Sequence, residues 1–171
     1  MIACVDVGYS DTAARAACVT IANWRDAEPA ASLVEIVKDV QEYQPGEFYR
    51  RELPCIEAVL AKLDCSPDCI VVDGYVWLDE ENRKGLGAHL YEALAQSVPV
   101  IGVAKNAFKG SGHATELRRG GSSKPLYVTA VGIPISQAVL NIGAMHGNHR
   151  FPTILKRVDM LSRGNVTGGL G

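Results

Sequence analysis

The 171-residue chain reads as an α/β protein built on a mixed sheet. Three features point there. Strand-length runs of β-branched residues recur along the chain, the first three follow one another with no helical segment between them, and the later ones alternate with segments of helical period. Consecutive strands joined by short links pair antiparallel, whereas a parallel pair needs a crossover, usually a helix. The expected architecture is an antiparallel meander continued by parallel strands, with helices on both faces of the sheet.

Strands are expected near residues 2–9, 15–22 and 31–40, forming the meander, and near 69–73, 99–104 and 125–131. Between the third and fourth, Phe48, Glu52, Cys55, Ile56, Val59, Leu60 and Leu63 recur at three- and four-residue steps. Pro54 should kink this helix or confine its regular part to the residues downstream. Leu86, Leu90, Ala93 and Leu94 mark a second helix, and Ile135, Val139, Leu140 and Ile142 a third. Ile154, Leu155, Val158 and Leu161 mark a fourth, ended by Gly164. Lys109 to Lys124, rich in glycine and serine, reads as a flexible loop, and Asn165 to Gly171 as a frayed tail. No repeat or linker divides residues 1–171, which are expected to form one domain.

Composition narrows the function classes. Five cysteines, odd in number and mostly within apolar runs, with no signal peptide before them, suggest reduced thiols and a cytoplasmic protein. The Cys65–Cys69 spacing lacks the second ligand pair that a zinc site needs, and the His146–His149 spacing resembles a zinc pair only superficially. Apolar stretches are of strand length, so no membrane span is expected. The formal charge of −2 conceals a division: residues 1–100 hold 8 Lys/Arg against 17 Asp/Glu, a net of −9, and residues 101–171 hold 9 against 2, a net of +7. An acidic half can supply metal ligands while a basic half faces phosphates, unless the two intermix in space.

Two buried-type strands end in carboxylates: Asp6 after Ile2-Ala3-Cys4-Val5, and Asp73 after Cys69-Ile70-Val71-Val72. A carboxylate in that position is costly without a metal or cationic partner. In open α/β sheets, sites form outside the carboxyl ends of the strands, and Glu52 would reach that edge from the first helix. Carboxylates converging from different elements suit Mg²⁺, which takes carboxylate oxygens together with water and substrate phosphate. Lys105 follows the apolar strand ending Val103-Ala104, where it would neutralise a phosphate or pair with one of the acids.

The local motifs resemble those of the endonuclease V family, which has a ribonuclease H-like fold. They are Val5-Asp6-Val7-Gly8-Tyr9, Tyr43-Gln44-Pro45-Gly46 followed by Arg51-Glu52-Leu53-Pro54, Val72-Asp73-Gly74, Pro99 to Lys105, Pro152-Thr153 and Leu161-Ser162-Arg163-Gly164. The resemblance implies a Mg²⁺-dependent endonuclease, with Mn²⁺ able to substitute, acting on DNA or RNA; a monomer is expected. Its substrate would contain inosine, the product of adenine deamination, and the cut would fall at the second phosphodiester 3′ to that lesion. It implies Asp6, Glu52 and Asp73 as metal ligands, with Asp159 matching a fourth acidic or imidazole position after two extra residues. Asp6, Glu52, Asp73 and Lys105 would be catalytic. Tyr43 matches the family's wedge tyrosine and His89 a histidine near the metal. Gly74 and Val76 would border the base, while Arg118, Arg119 and Arg150, with Lys124, Lys156 and Arg157, are candidate phosphate contacts.

The departures cluster around base recognition. Where the family has a second glycine and then His-Pro, this chain has Tyr75-Val76-Trp77-Leu78-Asp79-Glu80, and Val131-Gly132-Ile133 replaces Pro-Gly-His. The chain also begins at its first strand, without the helical extension common there. Metal chemistry is expected to persist with weakened inosine preference. The alternatives are a nuclease of the same fold with another DNA or RNA substrate, or a nucleic-acid-binding protein without catalysis.

Overall fold

The computed structural model describes residues 1–165 apart from Asp39, Gln41 and Tyr43. Its centre is a seven-stranded sheet of β1 (Ile2–Tyr9), β2 (Ala13–Ile21), β3 (Ala31–Lys38), β4 (Cys69–Asp73), β5 (Val100–Ala104), β6 (Thr115–Leu117) and β7 (Leu126–Val131). Spatial order is β3-β2-β1-β4-β5-β7-β6. The first three strands form the expected antiparallel meander, and β4 and β5 add in parallel beside β1. The carboxyl ends of β1, β4 and β5 therefore share one edge.

Among the described residues four helices cover the sheet: α1 (Phe48–Leu60), α2 (Leu86–Ala93), α3 (Ile135–Ala144) and α4 (Thr153–Ser162). Alternation along each strand sends its side chains to opposite faces. On one face Ala3, Val5, Ile70, Val72 and Val100 meet Cys55, Ile56 and Val59 of α1 and Ala88 and Leu90 of α2. On the other, Cys4, Val19, Val71, Ile101 and Val128 meet Ala138 and Ile142 of α3 and Ile154, Leu155 and Val158 of α4. The sheet is thus buried on both sides at β1, β4 and β5, the strands that carry Asp6 and Asp73 and precede Lys105. No helix among the described residues is long and apolar enough to cross a membrane.

Three expectations are corrected. Pro54 lies inside α1, which is continuous from Phe48 to Leu60. The proline faces solvent, so the Arg50 carbonyl that loses its helical donor is left on the wet side. The last strand of the main sheet, β7, runs antiparallel to β5. The segment 109–124 contains a 3-10 turn at Ser111–His113 and β6, which pairs with β7 through Thr115↔Val128 and Leu117↔Leu126. Arg119 closes this segment. Its buried guanidinium donates to the carbonyls of Met145 at 2.5 Å, His149 at 2.8 Å and Gly147 at 3.3 Å, fastening the β6–β7 connection to the link between α3 and α4. The tail from residue 166 lies outside the described residues.

Candidate metal centre

Asp6 lies towards the end of β1, Asp73 closes β4, and Lys105 follows β5 directly. On one face of this edge α4 packs over β1 and contributes Asp159. Carboxylate oxygens of Asp6, Asp73 and Asp159 lie within 4.8 Å of one another, close enough to share one ion. Gly8 permits this approach: a Cβ there would fall on the Ser162 carbonyl at the end of α4.

The electrostatics describe a site short of positive charge. Asp6 is pushed up by burial and the Asp159 charge, against hydrogen bonds from Ser162 and the Val7 amide. Asp73 is pushed up to about 6 by loss of water and then by the Asp6 charge, with Lys105 opposing. Glu52 reaches the edge from α1, on the other face. It stands outside the cluster of three, yet burial and the charges of Asp6 and Asp73 push it up to about 7. Crowded carboxylates that resist ionisation are the donor set a hard divalent cation satisfies, so these residues fit Mg²⁺.

Lys105 Nζ lies 3.5 Å from Asp159 Oδ1, 3.8 Å from Asp73 Oδ2 and 4.3 Å from the centre of the Phe151 ring. Arg163 donates to Asp159 Oδ1 through Nε at 3.2 Å and an Nη at 3.0 Å. The pairing of Lys105 with the acids is therefore realised, and its ammonium stays at the edge where a phosphate would enter.

The Glu52 shift has a measurable consequence. Its carboxyl, ordinarily near 4.5, titrates near 7 in the folded chain, so folding favours the protonated form. That stability is fully present below the unfolded value and is lost as pH rises to the folded one. Glu52→Gln stays neutral throughout. In chelator, its advantage over the wild type should grow from pH 4.5 to 7, reaching on the order of 1–3 kcal/mol by urea denaturation. Added Mn²⁺ should narrow the difference, and an unchanged one would exclude Glu52 from the ligands.

The remaining candidates are placed unevenly. Gly74 follows Asp73 with φ of +132°, a conformation that glycine alone adopts readily, and its amide donates to Val103. Val76 departs from its expected place at the base: its side chain is fully buried and its amide donates to Thr129 Oγ1 at 2.8 Å. Asp79 accepts from the amides of Glu81 and Arg83, folding the segment that replaces the family's His-Pro into a tight turn below the Trp77↔Lys84 bridge. His89 stacks on Tyr49 of α1, ring centres 3.6 Å apart. Together with Gly46, Leu78, Arg83 and Phe108 they line an open cleft. Tyr43 lies outside the described residues.

Among the basic candidates, Arg118 is exposed and donates to the Ser123 carbonyl, whereas Arg119 is occupied as a buried clamp and departs from a phosphate-binding role. Arg150 departs similarly, since its guanidinium donates to the carbonyls of Lys105 and Pro125 and ties the ends of β5 and β7. Ser162, which donates to Asp6, carries no expected role beyond its place in a motif, because a serine at a helix end has many ordinary explanations.

The mixed sheet flanked by helices, with Asp6 and Asp73 on its adjacent parallel strands β1 and β4, is a ribonuclease H-like fold. A family model described as endonuclease V matches residues 1–153. Endonuclease V of Streptomyces avermitilis is 33% identical over 183 aligned residues, covering 93% of this chain and 77% of that protein. A crystal structure of endonuclease V from the same organism superposes with a TM-score of 0.74 at 26% identity, covering 95% of this chain and 79% of the other. Endonuclease V of Ciona intestinalis, in complex with a 23mer DNA containing an inosine followed by a ribo-adenosine, shares the fold with a TM-score of 0.76 at 18% identity, covering 95% and 83%. The chain belongs to the endonuclease V family. Asp159 lies beyond the stretch that the family model matches, and its membership of the acidic cluster rests on geometry.

Proposed function

We propose that the protein is a divalent-cation-dependent endonuclease that cuts inosine-containing DNA or RNA at the second phosphodiester 3′ to the lesion. The observation that carries this reading is the convergence of Asp6, Asp73 and Asp159 beside Lys105 at one sheet edge. The relatives support it: the family is that of endonuclease V, and the Ciona protein of the same fold holds inosine-containing DNA.

Asp6, Asp73 and Asp159, with Glu52 alongside, would hold Mg²⁺ or Mn²⁺, which when bound activates water and stabilises charge on a phosphoryl oxygen. Lys105 exchanges its carboxylate partners for the scissile phosphate and neutralises charge developing on the leaving oxygen. The fixed turn at Gly74 leaves the space beside Asp73 clear of a side chain, since a Cβ there would touch nothing within 4 Å. The cleft of Tyr49, His89, Arg83 and Phe108 offers ring faces on which a base stacks, setting the register of the cut. Arg118 lies in the β6–β7 connection at the same edge and contacts the backbone phosphates.

The test is cleavage of matched inosine and adenosine oligonucleotides, as single-stranded DNA, duplex DNA and RNA. The turn in place of His-Pro leads us to expect cutting with a reduced inosine preference. Phe108→Ala should lower kcat/KM on the inosine substrate about tenfold, within the ~1–3 kcal/mol of one base stack. Equal loss on the adenosine substrate would move lesion recognition elsewhere. Failure to cut any substrate with Mg²⁺ or Mn²⁺ would leave a nucleic-acid-binding protein without catalysis.

A further inference from the structure

We propose that Ser162 is a positioning residue that orients the Asp6 carboxylate for cation binding through a hydrogen bond from the last turn of α4. This inference rests on the reading of Asp6, Asp73 and Asp159 as a cation site.

The three acids are restrained in different ways. Asp159 faces two cations, Lys105 and Arg163, and Asp73 faces Lys105 at 3.8 Å. The Asp6 carboxylate is held by neutral donors: the Ser162 hydroxyl, 2.6 Å from Oδ2, and the Val7 amide. A neutral donor fixes a carboxylate's rotamer while leaving its full charge for a metal, whereas an ammonium or guanidinium competes with the ion it helps to place.

The surroundings restrict what else Ser162 can do. The residue is 2% exposed, so water does not satisfy its hydroxyl. Its second neighbour is the Asp159 carbonyl at 2.8 Å, one turn back in α4. The hydroxyl carries one proton, and the charged acceptor at the shorter distance is the stronger partner. Because the same turn of α4 carries Asp159 and Ser162, one helix supplies a ligand directly and orients a second on β1. Gly8 completes the arrangement, since any side chain there would drive the Ser162 carbonyl and the end of α4 off the strand.

The experiment is calorimetric titration of the cation-free full chain with Mn²⁺, for the wild type, Ser162→Ala, Asp6→Asn and the double variant, with melting temperatures in chelator alongside. Ser162→Ala should weaken Mn²⁺ binding on the order of 10–100-fold, the usual loss when the partner that orients a metal ligand is removed. The loss should vanish in the Asp6→Asn background, because Ser162 acts through that carboxylate. If the alanine variant melts well below the wild type, Ser162→Cys, which keeps the volume and offers a weak donor, replaces it and should show the same coupling. Wild-type affinity in these variants, or an equal loss in both backgrounds, would overturn the proposal and leave Ser162 a packing residue. A wild type that binds no Mn²⁺ would overturn the cation-site reading, and this inference with it.

Discussion

Asp73→Asn should reduce cation-dependent cleavage by on the order of 10²–10³-fold or more, the scale of removing one group that stabilises the transition state. The same substitution should leave the cation-free protein at least as stable as the wild type above pH 7. The two effects have one cause. Asp73 titrates near 6 because lost hydration and the Asp6 charge oppose its ionisation, so at neutral pH the folded chain carries repulsion that a bound cation would relieve. Asparagine removes the repulsion and the ligand together. Cleavage of a labelled inosine oligonucleotide and urea denaturation in chelator, both at pH 8, read the two effects. Cleavage within tenfold of the wild type would remove Asp73 from the chemistry. A loss of stability matching the loss of activity would make it a structural acid.

The acidic edge was legible because two signals coincided there: an apolar, strand-like run, and a charged residue where the run stops. Asp6, Asp73 and Lys105 all follow from that pattern, and parallel strands bring their ends together. Charge division by sequence was less informative than it looked. The acidic half supplies Asp6, Glu52 and Asp73, but the basic half supplies Asp159, one of its two acids, together with Lys105 and Arg163. Proximity set by the fold, rather than net charge by segment, makes the site.

What escaped the sequence has physical reasons. β6 is three residues long within a glycine- and serine-rich stretch, too short for alternation to show, and its stability comes from β7 and the Arg119 clamp. The direction of β7 could have been inferred, since no helical segment separates it from β5 and a parallel pair needs a crossover. Val76 reads as a pocket residue because it stands in the stretch that replaces the family's second glycine and His-Pro, yet the left-handed turn at Gly74 sends the chain back beneath β5, where Gly102 leaves room for it. A Cβ on Gly102 would lie 2.5 Å from the Gly74 carbonyl oxygen and 2.8 Å from the Val76 amide. Arg119 and Arg150 looked like surface cations because linear sequence cannot show that backbone carbonyls from the α3–α4 link and from the ends of β5 and β7 surround them.

Lys105→Met should separate metal binding from catalysis. In the cation-free chain the Lys105 ammonium stands 3.5 Å from Asp159 and 3.8 Å from Asp73, opposing the charge of the acids that a metal would use. Methionine keeps an unbranched side chain of similar reach beside the Phe151 ring, over which the Lys105 Nζ lies, and removes the charge. The carboxylates then lose a competitor, so Mn²⁺ should bind as tightly as in the wild type or more so. Cleavage should still fall about 10²-fold, because Lys105 is the cation that stands against both Asp73 and Asp159, whereas Arg163 pairs with Asp159. Lys105→Arg should recover only part of the rate: a planar fork cannot place its charge as a compact ammonium does, although it restores attraction to the phosphate. Single-turnover cleavage at saturating Mn²⁺, beside a titration of Mn²⁺ affinity, distinguishes the roles. Parallel falls in affinity and rate would make Lys105 a strut that shapes the acidic cluster, and an unchanged rate would assign phosphate neutralisation to Arg163, the other cation held against Asp159.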